Sequence, residues 1–166
     1  MTVVLVAYAS KMGSTRVIAE RIGRRIKTAG FEVSVLPVQD VRDVEHYDAV
    51  VVGSALYARR WRHEAVRFLR RNRTALTTRP LWLFHSGPCG PDADAPQPTP
   101  ANVRQLTGAL ATTFGGRLDP ETAKGFLARK MATGPLAGDY RDWNRIDAWA
   151  TGIVTTLRKE TTHAQG

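Results

Sequence analysis

Apolar residues fall along this chain in two rhythms. Unbroken runs, Val3-Val4-Leu5-Val6-Ala7 and Ala49-Val50-Val51-Val52, predict strands buried on both faces. Between them apolar positions return every three to four residues. Val17, Ile18, Ile22 and Ile26 predict a helix over residues 14–29, stopped by Gly30. Residues 31–38 alternate apolar with polar and predict a second strand. Residues 41–47 form a polar connector. Leu81-Trp82-Leu83-Phe84, after Pro80, gives a fourth strand, and residues 113–118 a short fifth. Helical spacing returns over residues 63–73, with Val66, Phe68 and Leu69 inward, and over 101–113, with Val103, Leu106, Leu110 and Phe114 inward. A closing helix over 142–158 carries Trp143, Ile146, Trp149, Ala150, Ile153, Val154 and Leu157 on one face. Residues 92–100 hold three prolines and read as a surface loop. Strands alternating with helices predict an α/β three-layer sandwich around a five-stranded, mostly parallel sheet.

The first strand leads into Ser10-Lys11-Met12-Gly13-Ser14-Thr15, and a helix follows at once. The first backbone N–H groups of a helix have no intrahelical partner, and the helix dipole favours negative charge beside them. Ser10, Ser14 and Thr15 add hydroxyls, and Gly13 allows close backbone approach. The loop matches neither the Gly-x-x-x-x-Gly-Lys-Ser/Thr pattern of triphosphate sites nor the Gly-x-Gly-x-x-Gly dinucleotide fingerprint. Hydroxyls and N–H groups without a phosphate-position lysine suit one terminal phosphate monoester.

Length and composition narrow the class. The 166 residues suit a single domain over 1–160 with a short tail over 161–166, and 43% hydrophobic content is ordinary for a folded chain. No apolar run approaches the ~20 residues of a membrane span. A lone Cys89 allows no intrachain disulfide and no thiolate metal cluster, and no His/Asp/Glu group has metal-ligand spacing, so no metal site is expected. These features fit a cytoplasmic protein.

Charge changes the picture. Twenty-four Lys and Arg against fifteen Asp and Glu leave +9. Arg59, Arg60, Arg62, Arg67, Arg70, Arg71 and Arg73 fall in one span opposed only by Glu64. Such a surface can meet an acidic partner, a nucleic acid or an anionic membrane surface, or be a solvated helix face.

The loop Ser10 to Thr15 resembles the flavodoxin phosphate loop, a Ser/Thr-x-x-Gly-x-Thr pattern that wraps the phosphate of FMN. The resemblance extends over nearly the whole chain. It is nearest to the menaquinone-dependent protoporphyrinogen oxidase branch, through Tyr47-Asp48-Ala49-Val50-Val51-Val52-Gly53-Ser54, Tyr57, His63, Ala65 and Phe68, Gly115-Gly116-Arg117-Leu118 and Asp142-Trp143. It implies a flavodoxin-like sheet of order 2-1-3-4-5, in which the loops 10–15, 54–61 and 86–91 meet at the carboxyl ends of the strands. It also implies FMN, with Ser10, Lys11, Met12, Gly13, Ser14 and Thr15 on the phosphate, and Ser54, Ala55, Leu56 and Tyr57 with Ser86, Gly87, Pro88, Cys89 and Gly90 on the ring. Tyr57 and Trp61 offer rings for stacking on the isoalloxazine.

The implied activity is oxidoreduction, with a quinone, a porphyrinogen or a redox protein as partner and a homodimer as a common assembly. The alternatives are a small FMN electron carrier, or a flavodoxin-like module that binds partners without FMN; the hydroxyl-rich loop argues against the last, and nucleic acid is not the expected ligand. The branch has a longer basic, aromatic insert after its fifth strand. The corresponding segment 119–141, with Lys124, Phe126, Leu127, Arg129, Lys130 and Met131, is shorter, and it is where a bulky substrate or a membrane surface would be met.

Flavodoxins are acidic around the ring, whereas Arg59, Arg60 and Arg62 are expected near it here. A raised two-electron potential follows, because a close opposite charge stabilises the reduced anion by a few kcal/mol even at an effective dielectric of ~20. No catalytic side chain stands out. His85 is either an acid–base group or a strand cap. Cys89, beside N–H groups and positive charge, is expected to ionise easily if it is more than a small turn residue.

Overall fold

The computed structural model describes residues 1–118 and 138–166. The apolar runs form the parallel strands β1 (Val3–Ala9), β2 (Glu32–Pro37), β3 (Ala49–Tyr57), β5 (Leu81–Ser86) and β6 (Ala111–Phe114), in the order β2-β1-β3-β5-β6. This is the order expected from the sequence. The numbering shifts because an additional two-residue strand, β4 (Arg60–Trp61), pairs antiparallel with the end of β3.

Alternation along each strand splits the core into two layers. Leu5, Ala7, Val50, Val52 and Leu83 face α2 (His63–Arg71) and α4 (Ala101–Thr107), meeting Phe68, Leu69 and Val103. Val4, Val6, Val51 and Phe84 face α1 (Ser14–Thr28) and the last helix, α5 (Trp143–Ala164), meeting Ile18, Ile22, Ile26, Ile146 and Ile153. A sheet covered on both faces explains why β1 and β3 read as unbroken apolar runs. Arg21 clamps α1 to α5 through a bidentate pair with Asp147, at 2.7 and 2.8 Å. A short helix α3 (Arg73–Leu76) follows α2, and a ribbon of β7 (Arg117–Leu118) and β8 (Gly138–Asp139) stands apart from the main sheet.

Several expected boundaries move. The helix over 101–113 ends at Thr107, because Gly108 takes a left-handed φ of 67° and the chain turns into β6. Leu110, expected inward, is therefore 74% exposed. The fifth sheet strand lies at 111–114, not 113–118; Arg117 and Leu118 belong to the separate ribbon. The closing helix runs on to Ala164. Residues 54–61 are a hairpin and not an open loop. Lys124, Phe126, Leu127, Arg129, Lys130 and Met131 lie outside the described residues.

That hairpin turns on two residues. Leu56 pairs with Trp61 and Tyr57 with Arg60, leaving Ala58 and Arg59 as the loop, with φ of 50° and 61°. Two-residue hairpins favour turns with positive φ at both central positions, which is why Asn-Gly is preferred there. Ala and Arg bear the left-handed penalty of about 1 kcal/mol each. Ala58→Asn with Arg59→Gly is expected to stabilise the fold by about 1–2 kcal/mol, read from urea denaturation; an unchanged midpoint would show that the turn does not hold this geometry.

Candidate functional site

Register brings three chain segments side by side at the carboxyl edge of the sheet. Ala9 pairs with Ser54, Ser54 with His85 and Ala55 with Ser86. The strands therefore end together, and the segments after them border one cleft of about 500 Å³. Of the residues expected there, Ser10, Lys11, Met12, Ser14, Thr15, Ala55, Leu56, Tyr57, Ser86, Gly87, Pro88 and Cys89 line it. Gly13, Ser54 and Gly90 are not among the lining residues. Ala58, within the expected segment 54–61, lines it too, and so do Gln97, Arg117 and Leu118, which lie outside the three expected segments.

The first segment is built to receive an anion. Gly13 starts α1 with a φ of 86°, a left-handed conformation that glycine adopts without strain. Ser10 Oγ accepts from the Gly13 N–H at 3.0 Å and fixes the turn. The first intrahelical bond runs from the Val17 N–H to the Gly13 carbonyl, and no side chain caps the helix. The N–H groups of Ser14, Thr15 and Arg16 thus stand at the helix start beyond the reach of the intrahelical ladder. The Thr15 and Ser86 hydroxyls meet at 2.8 Å, tying the first segment to the third. Ser14 Oγ is buried and has no hydrogen-bond partner among the described residues. A buried hydroxyl left unpaired costs about 1–3 kcal/mol, which a ligand oxygen recovers. Ser14 and the neighbouring N–H groups fit a phosphate monoester in number and chemistry.

The second segment supplies a ring. Tyr57 is 40% exposed and carries Lys11 Nζ 4.8 Å from its ring centroid. Trp61, expected to offer a second ring, does not reach the cleft. Alternation in the hairpin turns it inward, and its indole N–H donates to His85 Nδ1 at 3.1 Å. Ser54 is inward too. Its hydroxyl accepts from the Arg62 N–H and donates to the Ala55 carbonyl, both at 2.9 Å, and so shapes the bend into β4.

Lys11, Arg59, Arg62 and Arg117 line the cleft, with no carboxylate among the described lining residues. Arg62 is compensated by Glu64, in a two-pronged pair at 2.7 and 3.1 Å that holds the Glu64 carboxyl below its usual range. Arg60, expected beside the ring, instead points to solvent from the outer strand of the hairpin.

Cys89 and His85 each admit two readings from the sequence. Cys89 packs against Leu118, as Met12 does, and burial, reinforced by Asp139, pushes its thiol pKa up; this favours the small turn residue over an easily ionised thiol. His85 is fully buried and neither caps the strand nor touches the cleft. Since the Trp61 N–H can only donate, Nδ1 accepts and Nε2 carries the proton, donating to Thr113 Oγ1 at 2.8 Å. Thr113 Oγ1 also accepts from the Gln97 N–H at 2.9 Å. This chain of bonds links the hairpin to the loop that presents Gln97.

Burial lowers the His85 pKa to about 4. The unfolded histidine titrates near 6.5, so below that pH the unfolded chain takes up a proton that the folded chain refuses. Stability is therefore expected to be full above pH 6.5 and to fall by about 3 kcal/mol as pH drops towards 4. Urea denaturation of the wild type and of His85→Gln across that window checks this. A wild-type slope equal to that of the variant would place the pH dependence elsewhere.

The model of the family described as "Flavodoxin domain" matches residues 5–133. No curated protein matches the sequence. Among solved structures, a flavodoxin from the domain Archaea is similar with a TM-score of 0.61 at 17% identity, over 95% of this chain and 99% of that one. Oxidised flavodoxin 1 from Bacillus cereus gives 0.56 at 17% identity, over 93% and 98%. Rubredoxin oxygen:oxidoreductase from Desulfovibrio gigas gives 0.65 at 13% identity, covering 97% of this chain and only 37% of that larger protein.

Proposed function

This chain belongs to the flavodoxin domain family, and on that premise we propose that its cleft holds FMN and that the protein transfers electrons between redox partners. One observation carries the proposal: the buried, unpartnered Ser14 Oγ at the uncapped start of α1. Ser10, Ser14, Thr15 and the N–H groups around Gly13 hold the phosphate. Tyr57 and the backbone of residues 55–57 and 86–90 border the ring. FMN would supply one- and two-electron transfer, and the protein supplies position and electrostatics. Lys11 and Arg59 stabilise negative charge in the cleft, which favours a two-electron potential above that of an acidic carrier.

A finer assignment, an FMN-dependent oxidoreductase of the menaquinone-dependent protoporphyrinogen oxidase type, is supported by the sequence resemblance at residues 47–54, Tyr57, His63 and Asp142-Trp143. The cationic cleft suits an anionic substrate of that kind. The carrier assignment is supported by the similarity in fold to flavodoxins over almost their whole length.

The deciding experiment is the absorption spectrum of the purified chain after addition of FMN and desalting. Retained flavin bands, lost in a Ser14→Ala/Thr15→Ala variant that still folds, are the expected result. A colourless wild type would reject the cofactor. With the flavin in place, turnover of a porphyrinogen or a quinone separates the oxidoreductase from the carrier.

A further inference from the structure

The cationic lining of the cleft does not end at its mouth. Arg59 and Arg60 sit at the tip and outer strand of the hairpin, both exposed. The chain then enters α2, whose outer face carries His63, Arg67, Arg70 and Arg71, all exposed. Positions 63, 67 and 70 follow helical spacing and form one stripe about 10 Å long. Glu64 is the one acid between residues 59 and 73, and Arg62 occupies it. Arg67 is bonded to His63 Nε2 at 2.8 Å and Arg71 to the Val41 carbonyl at 2.8 Å, so two guanidinium groups are anchored while keeping their charge.

We propose that this stripe, from Arg59 and Arg60 along α2 to Arg70, is the docking face for a small acidic redox protein, whose carboxylates seat on the arginines and bring its electron-transfer edge to the cleft mouth. The proposal builds on the cofactor assignment above and adds the chemistry of the partner. Complementary charge steers encounter and sets register between such partners. The other polyanions fit less well. All the apolar side chains of α2, namely Ala65, Val66, Phe68 and Leu69, point into the core, so the stripe has nothing to insert into a lipid surface. Nor does α2 expose a Phe, Tyr or Trp ring on which bases could stack.

Titration calorimetry of the full chain tests this, with an acidic [2Fe–2S] ferredoxin as the probe. A short single-stranded oligonucleotide and vesicles of phosphatidylcholine with phosphatidylglycerol serve as competing probes. Arg67→Glu/Arg70→Glu reverses the stripe without touching the cleft lining, and Arg67→Gln/Arg70→Gln guards against a folding defect. The expected result is ferredoxin binding at low salt that weakens as salt is added. The charge reversal should weaken it about tenfold or more, and the neutral pair by less. FMN affinity, measured separately, stays at the wild-type value in both variants. No ferredoxin binding, or equal binding by wild type and charge reversal, overturns the docking face. Tighter, stripe-dependent binding of the oligonucleotide or the vesicles overturns it in favour of that ligand. A chain that docks ferredoxin but retains no FMN keeps the acidic-protein face and rejects the cofactor instead.

Discussion

Ser14→Asp is expected to abolish FMN binding while leaving the fold slightly more stable. The two effects have opposite signs because one location serves two purposes. Ser14 is the first residue of α1, where an acidic side chain interacts favourably with the helix dipole; a gain of about 0.5 kcal/mol is the usual size. The same position holds the buried, unpartnered hydroxyl assigned to the phosphate. A carboxylate there occupies the oxygen site and repels the ligand. Two like charges at ~4 Å and an effective dielectric of ~20 differ by about 4 kcal/mol, or about a thousandfold in affinity. Ser14→Ala removes one donor and should cost only about tenfold. Fluorescence titration with FMN and thermal unfolding give both quantities. A Ser14→Asp protein that binds FMN like the wild type would move the phosphate away from α1.

Gly87→Ala should be the most damaging single methyl group at the cleft. Gly87 has a φ of +149°, and an added Cβ would lie 2.4 Å from the Leu56 carbonyl oxygen. That oxygen belongs to the backbone of β3 and cannot swing aside as a side chain does. Behind it, a Cβ on Gly116 would lie 2.8 Å from the Gly87 Cα, and the Gly116 N–H donates to the Pro88 carbonyl at 2.9 Å. Three stretches of backbone are thus stacked with no side chain between them. Overpacking and an unfavourable φ together should cost about 3 kcal/mol. Parting Leu56 from Gly87 also opens the wall facing the ring, so FMN affinity falls with stability. Gly108→Ala is the control: its φ is also positive at 67°, but nothing lies within 4 Å of an added Cβ. It should cost about 1 kcal/mol. Equal losses in the two variants would show that the stack is not under contact.

Much of this arrangement is legible in the sequence because burial on both faces leaves a strong trace. Val50, Val51 and Val52 cannot be a surface element, and Ser10 to Thr15 can hardly follow a strand and open a helix without presenting N–H groups. The hairpin is illegible because its turn has the wrong residues. Ala58-Arg59 carries no turn signal, and only pairing of Leu56 with Trp61 and Tyr57 with Arg60 forces the two positive φ angles. The error about Trp61 follows from the error about the turn, since in a hairpin the residue that seems free to stack faces His85. Gln97 left no trace, because what brings it to the cleft is a hydrogen bond to Thr113, sixteen residues away. At Cys89 neighbouring positive charge is visible in the sequence and burial is not, so the sequence leaves a reactive thiol and a turn residue both open. Here burial decides the direction of the shift.

The bond between Trp61 and His85 gives the molecule a reporter that needs no label. An indole proton held by a buried neutral imidazole exchanges slowly with solvent and resonates at low field. Among the described residues, the indole of Trp61 alone of the four, with Trp82, Trp143 and Trp149, is bonded to a ring that loses its acceptor when protonated. A two-dimensional nitrogen–proton spectrum of the intact protein would therefore show the junction of the hairpin with β5, behind the cleft, as a single peak. That peak would survive as long as the hairpin stays docked on β5, and it would vanish under acid before the rest of the spectrum collapses.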